Sequence, residues 1–301
     1  MTTVHAPRSI EQYLKALREA LAGEDPALLQ DALYDAEEYL RAEVNAHPDK
    51  SEADVLELIA TTYGAPEEVA DAYRTTEKQV REALAPPKPT AHRTALGRFF
   101  GVYGDTRAWT ALFYALLALV TGVFYFTVTV TGLSLSAGLA VLIIGIPVFL
   151  LFIGFTRVLA LAEGRLVEGL LGQRMPRRPP YPSKGMPVLQ RIKEMLVDRR
   201  TWTTLLYFLL MLPLGITYFT VAVTGVSISL AFIFGPFAAW LTDTGGVHVD
   251  GLYQLPDPLA AVVLVPLGIV LLTLVMHLMR GIGKMHGGLA KHLLVAQSGA
   301  D

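Results

Sequence analysis

Four stretches of the chain, approximately 108–131, 137–156, 202–225 and 258–279, each hold about the 20 apolar residues a helix needs to cross a hydrocarbon core. With 52% hydrophobic residues over 301 positions and a mean hydropathy of +0.44, the chain is too apolar for a soluble fold of that size, so the stretches read as membrane spans. Thr127-Val128-Thr129-Val130-Thr131 alternates like a strand, but an open strand in lipid would leave its backbone unpaired, which favours a helix there. The expected fold class is all-α: a small soluble helical domain followed by a four-span α-helical membrane domain.

The membrane part repeats itself. At an offset of 93, Asp105, Arg107, Trp109, Tyr114, Gly122, Tyr125-Phe126-Thr127-Val128 and Gly132 match Asp198, Arg200, Trp202, Tyr207, Gly215, Tyr218-Phe219-Thr220-Val221 and Gly225. Further on the offset becomes 123, pairing Gly145, Arg157 and Gly164 with Gly268, Arg280 and Gly287. Each copy holds two spans, so the copies share one orientation and form parallel repeats, over 95–178 and 179–301. The second carries an insertion at 228–257. Within it, Ile228–Leu241 is broken by Gly235-Pro236 and too short to cross, which predicts a re-entrant or interfacial helix. Val247 to Tyr253 alternates around Asp250-Gly251, which predicts an exposed hairpin.

Charge divides the chain differently. Up to Leu84 there are 18 acidic and 8 basic residues, so 1–84 reads as an acidic soluble module, joined to the spans by a proline-rich linker at 85–94. Caps and apolar periodicity divide that module into helices. Ser9 opens the first, Asp25-Pro26 the second, Ser51 a third ending at Gly64, and Pro66 a short fourth through Tyr73. The loop from Arg157 to Arg200 carries ten Lys/Arg and 226–258 none, which places both termini in the cytoplasm and the chain in the inner (cytoplasmic) membrane. Trp109, Trp202, Arg157 and Arg280 then fall at the cytoplasmic interface as bilayer anchors.

Two segments resemble known families. Tyr13-Leu14 with Leu17, Asp35-Ala36-Glu37-Glu38-Tyr39-Leu40, and Tyr63-Gly64-Ala65-Pro66-Glu67-Glu68-Val69-Ala70 with Tyr73 resemble the HAAS (DUF1700-like) signalling domain. That resemblance implies a helical module associated with PadR-type transcription regulators. The duplicated Trp-Thr, Tyr-Phe-Thr-Val and Gly-x-Ser-x-Ser motifs, with Gly145-Ile146-Pro147, resemble the sensor domain found before bacterial histidine kinases, over nearly all of 100–295. Too few residues follow for a kinase catalytic domain, so the expected output runs through the N-terminal module or a separate partner.

Candidate chemistry is sparse. The chain has no cysteine, which removes disulfides, thiolate metal sites and cysteine nucleophiles. His248, Asp243, Asp250 and Asp257 are weak metal candidates whose spacing fits no metal motif. His277, one turn after Thr273 in the fourth span, is the intramembrane ionisable candidate. No catalytic constellation, phosphate loop or nucleic-acid motif stands out, so neither a cofactor nor direct nucleic-acid contact is expected. Arg174, Arg177 and Arg178 form a basic surface where the acidic module could dock through weak, exposed pairs, each contributing at most about 1 kcal/mol. The leading expectation is a non-enzymatic membrane signalling protein acting on a partner, either a PadR-like regulator or a kinase component. The alternative is a transporter subunit or assembly factor. A membrane enzyme would need several ionisable groups at one depth, and only His277 meets that requirement in this reading.

Overall fold

The computed structural model describes residues 7–83, 94–140, 144–178, 197–241, 247–249, 253–255 and 257–295. Helices α1 (Ile10–Ala20), α2 (Pro26–Ala46), α3 (Glu52–Thr62) and α4 (Pro66–Ala83) pack around Tyr13, Leu17, Leu40, Val55 and Ile59. Their starts follow local chemistry. Ser9 accepts the Gln12 N–H, Asp25 accepts that of Ala27 ahead of Pro26, and Ser51 accepts that of Asp54. Gly64, with φ +105°, turns the chain between α3 and α4, and Tyr13 donates its hydroxyl to the Gly64 carbonyl at 2.8 Å. The fourth helix is not short. It continues from Tyr73 to Ala83, because Arg74 to Ala83 contains no glycine or proline to stop it.

After a short helix α5 (Ala95–Phe100) and a 3₁₀ turn at Gly101–Gly104 come four helices long and apolar enough to cross a membrane. These are α6 (Thr106–Leu139), α7 (Gly145–Leu166) with a π-helical turn at Val167–Leu171, α8 (Arg199–Leu241) and α9 (Asp257–Leu294). In each apolar window no more than 33% of residues are buried in the protein, so most of the apolar surface faces outward and suits hydrocarbon.

The expected re-entrant or interfacial helix at 228–241 is instead the continuation of the third span. Helix α8 runs unbroken for 43 residues through Pro213 and Pro236. A proline inside a helix removes one backbone hydrogen bond and costs about 3 kcal/mol. Uncoiling the segment would strand several backbone groups, each costing several kcal/mol in an apolar setting, so the helix tolerates the proline. Beyond it, β1 (Val247–Val249) and β2 (Tyr253–Leu255) pair antiparallel, with Val249 opposite Tyr253, as a small hairpin.

Helices α6 and α8 touch backbone to backbone. A Cβ on Gly122 would collide with the Met211 carbonyl, and one on Gly215 with the Ala118 carbonyl. Gly122 and Gly215 stand 93 residues apart, as do Ala118 and Met211, so the contact is reciprocal. Gly215→Ala in the full chain should lower stability by about 1–3 kcal/mol in micelle unfolding assays. Gly138→Ala, where the added carbon meets nothing within 4 Å, should be neutral. Equal effects would mean that the crossing is not closely packed.

Candidate functional site

The buried face of α7 runs through Ile153, Thr156, Glu163 and Gly164 and continues into Val167 and Leu171, at three- and four-residue spacing. Position 163 therefore faces the interior, and the interior supplies donors. Tyr114 and Tyr207 donate to Glu163 Oε1 at 2.6 and 2.9 Å, and Tyr125 donates to Oε2 at 3.0 Å. On the far side of the same hydroxyls lies His286 Nε2, 2.7 Å from Tyr114 and 3.0 Å from Tyr207. Each hydroxyl has one proton, given to the carboxylate, so Nε2 carries the hydrogen and donates to both oxygens. The Tyr218 ring meets the His286 ring edge-on, with centroids 5.5 Å apart. Glu163 and His286 are fully buried, and the four tyrosines are at most 3% exposed.

Burying a carboxylate costs several kcal/mol unless hydrogen bonds replace its water. Three hydroxyl donors do so here. Among the described residues, His286 Nδ1 and the Tyr218 hydroxyl have no partner, which leaves polar capacity next to the network.

The expectation that only His277 offers an ionisable group inside the spans is thus overturned: Glu163 and His286 converge on shared tyrosines. Hydropathy alone ends the second span at 156 and leaves Glu163 in the loop that begins at Arg157. The signal lay in spacing, since Glu163 continues the Thr156, Ala160, Val167 face, and His286 stands 123 residues later, immediately before the matched Gly287. Tyr114 and Tyr207, and Tyr125 and Tyr218, are pairs at the offset of 93. His277 itself lies against α5, with Nε2 2.9 Å from the Phe99 carbonyl and its ring stacked on Phe99.

The other candidates lie near the charged end. Trp109 and Trp202 are half exposed, and the Trp109 indole donates to the Tyr103 carbonyl at 2.9 Å. Arg157 reaches Asp198 at 3.8 Å and Arg280 reaches Asp105 at 3.1 Å, so each arginine meets an aspartate from the other half of the sequence. Asp243 and Asp250 lie outside the described residues, as do the side chains of His248 in β1 and Asp257 in α9.

Arg174 makes ion pairs with Asp31 at 2.9 Å, Glu77 at 3.0 Å and Glu168 at 3.6 Å. Asp31 also accepts the backbone N–H groups of Arg177 and Arg178, at 2.7 and 2.8 Å. Arg178 pairs with Asp35 at 3.0 Å, Arg177 with Glu168 at 3.4 Å, and Lys291 with Asp25 at 2.5 Å. The Arg174–Asp31 pair is not the exposed pair expected from sequence, because the side chains of Asp31 and Arg174 are 7% and 13% exposed, whereas Arg177 and Arg178 are exposed as expected. Burial raises the Asp31 carboxyl above its ordinary range, while the two backbone donors and Arg174 pull it back. Burial also opposes the Arg174 charge, yet Glu77, Asp31 and Glu168 hold the guanidinium above its ordinary value.

A family model described as "Putative sensor" matches residues 114–294, more than half of the chain. The chain belongs to this family. The sensor-family region opens at Tyr114 and closes at Leu294, so it contains the whole Glu163, tyrosine and His286 network and leaves α1–α4 outside. No curated protein and no solved structure matches the chain.

If Glu163 is the hub of the sensor-family region, Glu163→Ala removes all three bonds, stranding the Tyr125 hydroxyl and leaving those of Tyr114 and Tyr207 with His286 alone, whereas Tyr125→Phe removes one bond, at about 1–3 kcal/mol. Thermal unfolding of the full chain in micelles should therefore rank Glu163→Ala well below Tyr125→Phe. Equal losses would demote the carboxylate from that position.

Proposed function

We propose that the protein is a non-enzymatic membrane sensor in which the packing of the spans around Glu163 and His286 controls the docking of α1–α4. One observation carries this reading. The module rests on the direct continuations of the two helices that supply Glu163 and His286: Glu168 and Arg174 follow Glu163, and Lys291 follows His286 by five residues. A change in how α7 and α9 pack around the buried network shifts the residues that hold Asp31 and Asp25. The complete burial of the network favours a packing switch over an enzyme, because no substrate reaches it in this arrangement.

The reading is completed by three sequence features. The HAAS-like motifs in residues 9–74 make α1–α4 a signalling module whose released surface binds a protein partner, such as a PadR-type regulator. The paired offsets of 93 and 123, with the reciprocal Gly122 and Gly215 contact, support two parallel repeats. The basic loop supports an inner-membrane orientation with both termini cytoplasmic. Reporter fusions near Pro180 should read cytoplasm and one near Gly246 exterior, and a cytoplasmic signal at Gly246 would reverse the topology.

The switch is tested by limited trypsin cleavage after Arg93 in the reconstituted full chain. Arg174→Gln should raise cleavage several-fold by releasing the module. Glu163→Gln, which touches no residue of α1–α4, should raise it as well. If Arg174→Gln acts and Glu163→Gln does not, docking stands and control from the network is wrong.

A further inference from the structure

Between the charged ends of α7 and α8 lies a narrow, open-sided cleft whose water-accessible space is about 30 Å³. Its inner wall is apolar, with Ile153, Ala160 and Leu161, and its mouth holds Arg157, Arg200 and Asp198. Two guanidinium groups face one carboxylate, and that carboxylate is already engaged. Asp198 caps α8, accepting the Arg200 backbone N–H at 3.0 Å and the Thr201 hydroxyl at 3.2 Å, so Arg157 reaches it only at 3.8 Å. Among the described residues, the Arg200 guanidinium bonds Gln30 of α2, a neutral acceptor, at 2.9 Å. Among the described residues the mouth therefore keeps an excess positive charge, strengthened by the start of a 43-residue helix. Beside it, Val158 and Trp202 are more than half exposed on the outward apolar surface.

We infer that this cleft binds one anionic phospholipid, its phosphate held by Arg157 and Arg200 and an acyl chain lying along the partly exposed Ala160 and Leu161. Guanidinium groups suit phosphate because their fork of donors matches its oxygens. Basic pockets between spans are the places where anionic headgroups settle. The apolar wall distinguishes a lipid from a soluble phosphate, which would gain nothing from it. Binding is independent of the switching scheme, although the phosphate would compete with Gln30 for Arg200 and so touch the docked module directly. The matching residues in the other half differ: Arg280 closes on Asp105 at 3.1 Å, and the Arg107 guanidinium lies against Gly172.

The test uses the full chain in nanodiscs of phosphatidylcholine doped with phosphatidylglycerol, followed by native mass spectrometry of lipids retained on release. The wild type should keep one phosphatidylglycerol in at least tenfold preference to phosphatidylcholine. Arg157→Gln with Arg200→Gln should remove the preference. Ala160→Phe, which fills the apolar groove and leaves every charge in place, should remove it too, and Arg280→Gln should retain it. Glycerol phosphate at millimolar concentration should fail to displace the lipid. Retention by both cleft variants, equal loss in Arg280→Gln, or displacement by glycerol phosphate would overturn the assignment, the last in favour of a soluble phosphate site.

Discussion

An ionisable carboxyl group inside an apolar bundle has no water to fall back on, and the arrangement of the spans follows from where its donors come from. Tyr114 and Tyr125 rise from α6, Tyr207 from α8, and His286 closes the set from α9, so Glu163 on α7 gathers all four long helices at one level. Apolar side chains alone give little reason for one packing over another when lipid is as apolar as the interior. A carboxylate with three specific donors does give such a reason, since rotating any of these helices away leaves a buried polar group without a partner. The network thus specifies the bundle as well as holding it.

The attachment of α1–α4 to the spans obeys the same economy at lower burial. Asp31 is nearly covered, and its three donors come from a single short stretch, Arg174 to Arg178, that follows the π-helical turn and Gly172. Gly172 takes φ +69°, a conformation that other residues rarely adopt, and this reverses the chain beneath the module. Peripheral pairs such as Arg178 with Asp35 are about half exposed on the arginine side and add little individually. Specificity therefore rests on Asp31 and Arg174, supported by the largely covered Glu77 and Asp25.

Much of this was legible in the sequence, for reasons that differ between elements. Caps at Ser9, Asp25 and Ser51 act over three residues, so local pattern locates the helix starts. The four spans are set by hydropathy over about 20 residues and are equally plain. What pattern misjudged was competition. Gly235-Pro236 reads as a break when a lone proline is set against water, but in an apolar setting the alternative to a helix is worse. Glu163 was missed for a related reason: a charged residue after Arg157 reads as loop unless its place on the helical face is followed past the arginine. The partnership of Glu163 with His286 depends on four helices meeting, and the only trace of it in the sequence is that both precede a matched glycine. Asp31 looks like any other acid of the module until the segment that covers it is in place.

The close approach of α6 and α8 near Gly122 and Gly215 is a fulcrum. Gly122 lies 16 residues from the start of α6 and 17 from its end, so at about 1.5 Å per residue the helix has two arms of roughly 25 Å each. Helix α8 is different: Gly215 leaves 16 residues on the charged side and 26 beyond, so its outer arm is the longer. Backbone contact allows rocking at this point but not sliding. A displacement imposed at the far end of α6 is therefore returned at the charged end with opposite sense and nearly equal size, while the same displacement of the far end of α8 arrives reduced to about six-tenths. The two levers share one pivot and have different gearing, so a symmetric push on the outer ends becomes a relative displacement beneath the docked helices.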